Sequence, residues 1–510
     1  MPMSKLPLTA DAVELADLIA NGQVSATEAL DDALERTALI DPKLNALCLL
    51  RPEQAREIAA QIDQSLVRAR RTPDDLSALR RKRPFLGVPT VLKDTGTAAL
   101  GLPSTQGSRL FGQIDWPLDS ELVCRYRQAG LVPFGRSTSP EMAISPSTEA
   151  LAYGGPTRNP WNPQISPGGS SGGAAAALAA RIVRIAHGTD GAGSIRIPAA
   201  CCGVVGLKPT RGLVPMGPLA GEGWGGLLVE HMLTLSVRDC AAALDASAGQ
   251  DVGAPYSAPA YAGALAGVVR TLAGEEPAAM RIAVLDTTLD GDPIDPQVAD
   301  AVRRTADTLQ SLGHQLEQAR PQVRTEQILR PMIDVVACGT AMAVERELLR
   351  RGKPLAANEL EPTTIGAWRH GCSLTGAQYL ARLSELHQLN RVIGRFFDDG
   401  PDGGGFDLML MPVLARPTAP LGRWAMNNPD FLDYRLGPQG LIHYSPFTPI
   451  ANMTGQPAIS LPLATSDQGL PIGIQLMARF GRDADLLRLS AQLERVLPWA
   501  GRIPPIAASI

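Results

Sequence analysis

The chain has 510 residues, of which 45% are apolar and 19% charged, with a formal net charge of −4. That balance is globular, and it excludes an electrostatic case for nucleic acid or an anionic membrane surface as partner. The amino terminus lacks a signal-type apolar stretch, no apolar run approaches the roughly 18 residues that span a bilayer, and seven scattered cysteines lack a CxxC pair; the expectation is a soluble cytoplasmic protein with no metal site and no cofactor.

Ser25-Ala26-Thr27-Glu28 forms a capping box and opens a helix through Glu35 or beyond, with Asp41-Pro42 as its stop. Residues 52–70 read as a second helix. A polar linker follows, and Arg80-Arg81-Lys82-Arg83 within it reads as a solvated loop. From Phe85 an apolar strand-like run ends in Lys93-Asp94, and then come a helix over 120–129 and a strand over 131–134. This alternation is that of an α/β protein.

Prolines 160, 163 and 167 keep 159–167 irregular. The alanine run 174–180 is a helix and 182–186 a short strand. Residues 212–275 mix loop and helix. A strand at 280–285 and an amphipathic helix at 296–312 follow. Residues 325–400 are mostly helical and carry no readable motif, and 400–405 is a glycine-rich break. Buried strands are expected at 408–411, 458–461 and 473–477, with a closing helix over 483–496. There is no internal repeat and no long linker, so a single large domain over 1–510 is expected.

Chemistry concentrates in two loops, Ser166-Pro-Gly-Gly-Ser-Ser-Gly-Gly173 and Gly188-Thr-Asp-Gly-Ala-Gly-Ser-Ile-Arg-Ile-Pro198. Ser170 and Ser171 each match GxSxG, but a proline-rich segment precedes them where a nucleophile elbow needs a strand, and no histidine sits in a supporting motif. Gly203 to Thr210 has the wrong spacing for a phosphate loop, and Gly191-Ala-Gly193 lacks the third glycine of a dinucleotide fingerprint. A lysine can also activate a serine. The chain has only six lysines, and Lys93 and Lys208 both follow apolar strands. Burial lowers a lysine pKa and lets the amine accept a proton; on these grounds either lysine qualifies. Gly191-Ala192-Gly193-Ser194 is a run of small residues whose amides can form an oxyanion hole, and Asp190 and Arg196 flank it as a structural pair.

Together, Gly168-Gly-Ser-Ser-Gly-Gly173, Gly188-Thr-Asp-x-x-Gly-Ser-Ile-Arg196 and Cys202-Gly-Val-Val-Gly-Leu-Lys-Pro209 resemble the amidase signature family of serine hydrolases. Gly87-Val-Pro-x-x-x-Lys93-Asp94, Gly154-Gly-Pro-Thr-Arg-Asn-Pro-Trp161, Phe447-Thr448, Asn452, Thr454-Gly-Gln-Pro457 and Leu470 to Gln475 extend the likeness over about residues 10–497, thinnest over 320–400.

The resemblance implies a single α/β/α sandwich around a mixed, mostly parallel sheet. N-terminal helices would occupy 10–70, the signature core 85–250, a variable substrate-shaping region 320–445 and C-terminal core elements 446–497. It implies a Ser–cis-Ser–Lys triad of Ser194 as nucleophile, Ser170 as bridge and Lys93 as base, with Lys208 structural and Ser171 supporting the loop. The oxyanion would be held by Gly191, Ala192, Gly193 and Ser194, and the acyl pocket lined by Ala143, Ile144 and Ser145.

Two stretches depart from the family pattern: Ala192 stands where many members have glycine, and Arg136 to Met142 replaces the more usual Lys-Thr-Asn-Met. The motifs look most like the subgroup of aryl acylamidases and nylon-oligomer hydrolases. The implied activity is hydrolysis of a small-molecule amide by a monomer or homodimer. The same chemistry would serve carbamates (urethanes), and the alternative is a subunit of a tRNA-dependent amidotransferase.

Overall fold

The computed structural model describes residues 6–398 and 405–508, so most of the glycine-rich break lies outside the described residues. Eleven strands are present among them: β1 (Leu47–Cys48), β2 (Pro89–Lys93), β3 (Val132–Ser137), β4 (Ile185–Asp190), β5 (Val205–Lys208), β6 (Val229–Thr234), β7 (Arg281–Val284), β8 (Gln315–Gln318), β9 (Leu408–Pro412), β10 (Ala458–Thr465) and β11 (Pro471–Ala478). Eight of them form one sheet in the order β4-β6-β5-β10-β11-β9-β7-β8, and β1-β3-β2 form a second, smaller sheet. The two sheets meet where β2 runs beside β4, with Thr90 Oγ1 donating to the Ile185 carbonyl at 2.9 Å.

The large sheet is mixed, as expected, but its pairing is not mostly parallel. Only β7–β8 and β7–β9 are parallel, and the other neighbours are antiparallel. Short connections explain part of this. The β10–β11 hairpin turns within Ser466 to Leu470, where the Ser466 amide donates to the Leu470 carbonyl at 2.8 Å, and a loop of that length joins only antiparallel neighbours.

Strand alternation builds the layers. Leu408, Leu410, Ile474 and Leu476 face one side of the sheet, against Val298, Val302, Leu486 and Leu489 of the Pro296–Ser311 and Asp483–Val496 helices. Met409, Met411 and Met477 face the other side, against Ile328, Met332, Leu386 and Ile393 of the Thr325–Arg351 and Gly376–Phe397 helices. The period of two sends successive side chains to opposite faces, and each fully buried large apolar side chain contributes about 1.5–3 kcal/mol. The result is the helix–sheet–helix sandwich.

Several elements differ from the sequence expectation. Pro42 does not stop its helix, which runs Ala26–Leu44 and closes at Asn45 in a left-handed conformation (φ 53°). The polar linker contains a helix, Pro73–Lys82, capped by Thr72. Its last turn is Arg80-Arg81-Lys82, where cations complement the helix dipole. β4 begins at Ile185 and continues through Asp190. The Thr325–Arg351 helix does reach bilayer-spanning length, with a window of mean hydropathy 1.3, but 61% of that window is buried inside the protein. Its apolar residues pack against the sheet and around the pocket described below.

Candidate active site

Lys93 closes β2, every residue of which is buried. Its main chain is held from both sides. The Lys93 amide donates to His187 Nδ1 at 3.3 Å. Arg136, fully buried, donates to the carbonyls of Lys93, Thr97, Leu102 and Pro103 at 2.6–3.1 Å. The arginine that marks the second departure from the family pattern therefore braces the turn after the lysine. Thus fixed, Lys93 Nζ lies 2.6 Å from Ser170 Oγ and 2.7 Å from Thr189 Oγ1. Burial pushes its pKa down to about 7, opposed by the Asp190 and Glu230 carboxylates. An amine held there is largely neutral in mildly alkaline solution and can take the Ser170 proton.

Lys208 is equally buried and its pKa is also pushed to about 7, first by burial and then by Arg196. Desolvation therefore does not separate the two lysines; reach does. Lys208 Nζ donates to its neighbour's carbonyl, that of Pro209, at 2.8 Å, whereas Lys93 meets the serine loop.

The Gly169–Ser170 peptide is cis, as the resemblance implied for this position. Gly169 can only be glycine. A Cβ there would lie 2.6 Å from the Ser147 nitrogen and 2.8 Å from the Ser145 carbonyl oxygen. Ser171 ties the two glycine loops together: its amide donates to the Ser194 carbonyl at 3.1 Å, and its Oγ donates to the Thr189 carbonyl at 3.3 Å. It supports the loop, as expected.

Asp190 and Arg196 organise the second loop. The guanidinium meets the carboxylate through Nε (3.0 Å) and Nη2 (2.9 Å), both side chains fully buried. Burial alone would raise the Asp190 pKa, but Arg196 outweighs it and holds the carboxyl well below the usual carboxylate range. Arg196 donates further to Asn452 Oδ1 (2.6 Å) and Gln475 Oε1 (2.7 Å). Two C-terminal motif residues, unexplained from the sequence, thus converge on this pair.

The same carboxylate corrects the oxyanion-hole assignment. Asp190 accepts the amide protons of Gly193 (2.7 Å) and Ile195 (3.1 Å). Gly193 is therefore occupied and cannot also hold an oxyanion. Among the described residues the amides of Gly191, Ala192 and Ser194 have no hydrogen-bond partner. Ala192 fits without strain, because the left-handed residue of the loop is Gly193 (φ +119°) and not residue 192. A Cβ on Gly193 would lie 2.2 Å from Thr448 Oγ1, which itself donates to the Ala192 carbonyl at 2.7 Å.

Ser194 opens into a pocket lined by Ala143, Ile144 and Ser145 together with Ala192 and Gly169, so the expected acyl-side residues do adjoin the serine. The opposite wall comes from the variable region: Leu329, Met332, Ile333 and Val336 of the long apolar helix, and Arg435, Leu441 and Ile442. Trp224, Ile197, Pro146, Ser445 and Pro449 also line it. Thr189, Trp224 and Arg435 were not singled out from the sequence. Thr189 sits inside a recognised motif, but Trp224 and Arg435 carry no sequence signal. Among the described residues no group of three or more His, Cys, Asp or Glu side chains is placed to hold a metal ion.

The family model named Amidase matches residues 28–487. The 6-aminohexanoate-cyclic-dimer hydrolases of Pseudomonas sp. (strain NK87) and Paenarthrobacter ureafaciens are each 35% identical to this chain, over 99% of it and 98% of theirs. The structure of 6-aminohexanoate cyclic dimer hydrolase complexed with substrate superposes at a TM-score of 0.85 with 33% identity, covering 98% of this chain and 100% of that one. A bacterial aryl acylamidase superposes at 0.84 with 26% identity, covering 98% and 99%. The chain belongs to the amidase (amidase signature) family, hydrolases that act on amide C–N bonds.

Proposed function

We propose that this chain hydrolyses small-molecule aryl or alkyl amides through an acyl-enzyme on Ser194. The observation that carries the proposal is the buried 2.6 Å contact between Lys93 Nζ and Ser170 Oγ, in a loop tied to Ser194 through Ser171. Neutral Lys93 takes the Ser170 proton as Ser170 takes that of Ser194. Ser194 Oγ then attacks the amide carbon. The amides of Gly191, Ala192 and Ser194 hold the resulting oxyanion, and the proton returns along the relay to the leaving amine. Water cleaves the acyl-enzyme by the reverse sequence.

The same steps cleave a carbamate ester, whose carbonyl is attacked alike, so urethanes belong to the proposed substrates. In this reading the chain works as one domain, as a monomer or homodimer in the cytoplasm, without cofactor, nucleic acid or membrane. An amidotransferase subunit has less support, since the full-length relatives reported above are named as a cyclic-dimer hydrolase and an acylamidase. The test is the purified chain alone against a p-nitroanilide, a primary amide, a lactam and a carbamate. Turnover of an amide without partners supports the proposal. Turnover only with partner proteins and an acceptor overturns it.

A further inference from the structure

Among the described residues Arg435 is the one charged side chain lining the pocket at Ser194. Its surroundings leave that charge uncompensated. Nη2 donates to the Ile144 carbonyl, and the guanidinium lies over the rings of Phe431 (5.1 Å) and Tyr434 (5.8 Å). Nε is buried with no hydrogen-bond partner, and no carboxylate lies within ion-pair distance among the described residues. Glu149 and Glu361, the acids that act on neighbouring Tyr434, are engaged elsewhere. Glu149 accepts from Ser147 Oγ and the Gly422 amide, and Glu361 from the Leu151 amide. Arg435 is half-buried, so pocket water screens part of its charge, but a buried donor left unfilled and a cation without a counter-charge remain unfavourable. The remaining lining is largely apolar and holds no carboxylate, so an anionic ligand is the counter-charge the pocket can accept.

We infer that Arg435 selects amides whose acyl arm carries a carboxylate, received by the part of its guanidinium that lines the pocket. The inference rests on the amide-hydrolase reading and deepens it. The placement favours the acyl arm over the leaving amine, because Arg435 grips Ile144 of the loop at Ala143–Ser145, which adjoins the serine. A long apolar wall followed by one cation suits an aliphatic chain ending in an anion. The competing view is that Arg435 only stacks on Phe431 and Tyr434 and holds the Ile144 carbonyl.

The two views separate on a matched pair, the mono-p-nitroanilide of adipic acid and the p-nitroanilide of hexanoic acid, which differ only at the far end of the chain. The expected result is a kcat/KM ratio favouring the carboxylate by about 10- to 100-fold through KM, lost in Arg435→Met. Arg435→Gln, which keeps a donor for the Ile144 carbonyl, loses the ratio as well. A ratio near one in the unmodified protein, or a ratio unchanged while both substrates slow in parallel, overturns the inference. If neither anilide is hydrolysed, the hydrolase reading is decided by the primary amide, lactam and carbamate of the wider panel. Calorimetric binding of the adipic mono-anilide then decides Arg435 by itself: tenfold weaker binding to Arg435→Gln upholds the inference, and equal binding overturns it.

Discussion

The Lys93 amine and the Ser170 hydroxyl meet at 2.6 Å with both side chains fully excluded from solvent. Burial holds that amine near pKa 7, so it is the neutral form that gains as pH rises. The kcat/KM for an uncharged anilide is expected to climb tenfold per pH unit below about 7 and level off above it. Lys93→Met should lower kcat by about 10²–10⁴ and abolish the rise. Lys208→Met should keep the rise, and a rise that disappears with Lys208 would transfer the base to that residue.

Thr189 Oγ1 is the second group within 2.7 Å of the Lys93 amine. It orients the amine without joining the relay. Thr189→Val removes one hydrogen bond of about 1 kcal/mol, and an effect of about fivefold on kcat at pH 8 is expected. KM should stay near its original value, because Thr189 is not among the residues lining the pocket. A change confined to KM would speak against a positioning role.

The buried Asp190–Arg196 pair predicts a stability effect rather than a kinetic one. Arg196→Met leaves Asp190 ionised, buried and unpaired, and strips partners from Asn452 and Gln475. A loss of about 3–5 kcal/mol in urea unfolding is expected. A loss below 1 kcal/mol would show that Asp190 finds its compensation elsewhere, with Lys208 and Lys93 the candidate cations.

Gly193 carries two demands at once, a left-handed backbone and no room for a Cβ against Thr448. Gly193→Ala should cost about 2–4 kcal/mol, from overpacking and backbone strain together. Differential scanning calorimetry measures it. An unchanged Tm would mean that the loop can shift away from Thr448.

The glycine loops, the Lys93 strand and the Asp190–Arg196 pair were legible because each needs particular residue types at fixed spacing. The choice between Lys93 and Lys208 was not legible from the residues alone. Both end apolar strands and both are desolvated alike, and only the packing of β2 beside β4 puts one of them against Ser170. The engagement of the Gly193 amide was equally hidden, since it depends on which way the Asp190 carboxylate turns. β6 was lost within 212–275 because Val229-Glu-His-Met-Leu-Thr234 carries polar residues. Glu230 and His231 are nonetheless buried there, and Glu230 meets His187 at 3.3 Å. The mostly parallel sheet came from the resemblance and not from the residues, whereas β4, β5, β6, β10 and β11 pair antiparallel. The far pocket wall was legible only as a region, 320–445, and not residue by residue: Met332 and Arg435 are more than 130 residues from Ser194.

The central claim is that Ser194 carries the acyl group, and trapping that intermediate tests it most directly. The protein is quenched in acid during turnover of a p-nitroanilide or a carbamate, and its intact mass and peptides are read by mass spectrometry. An added acyl mass is expected on the peptide holding Ser194, absent in Ser194→Ala, which should also lose turnover. An adduct on another residue, or turnover retained by Ser194→Ala, would contradict it.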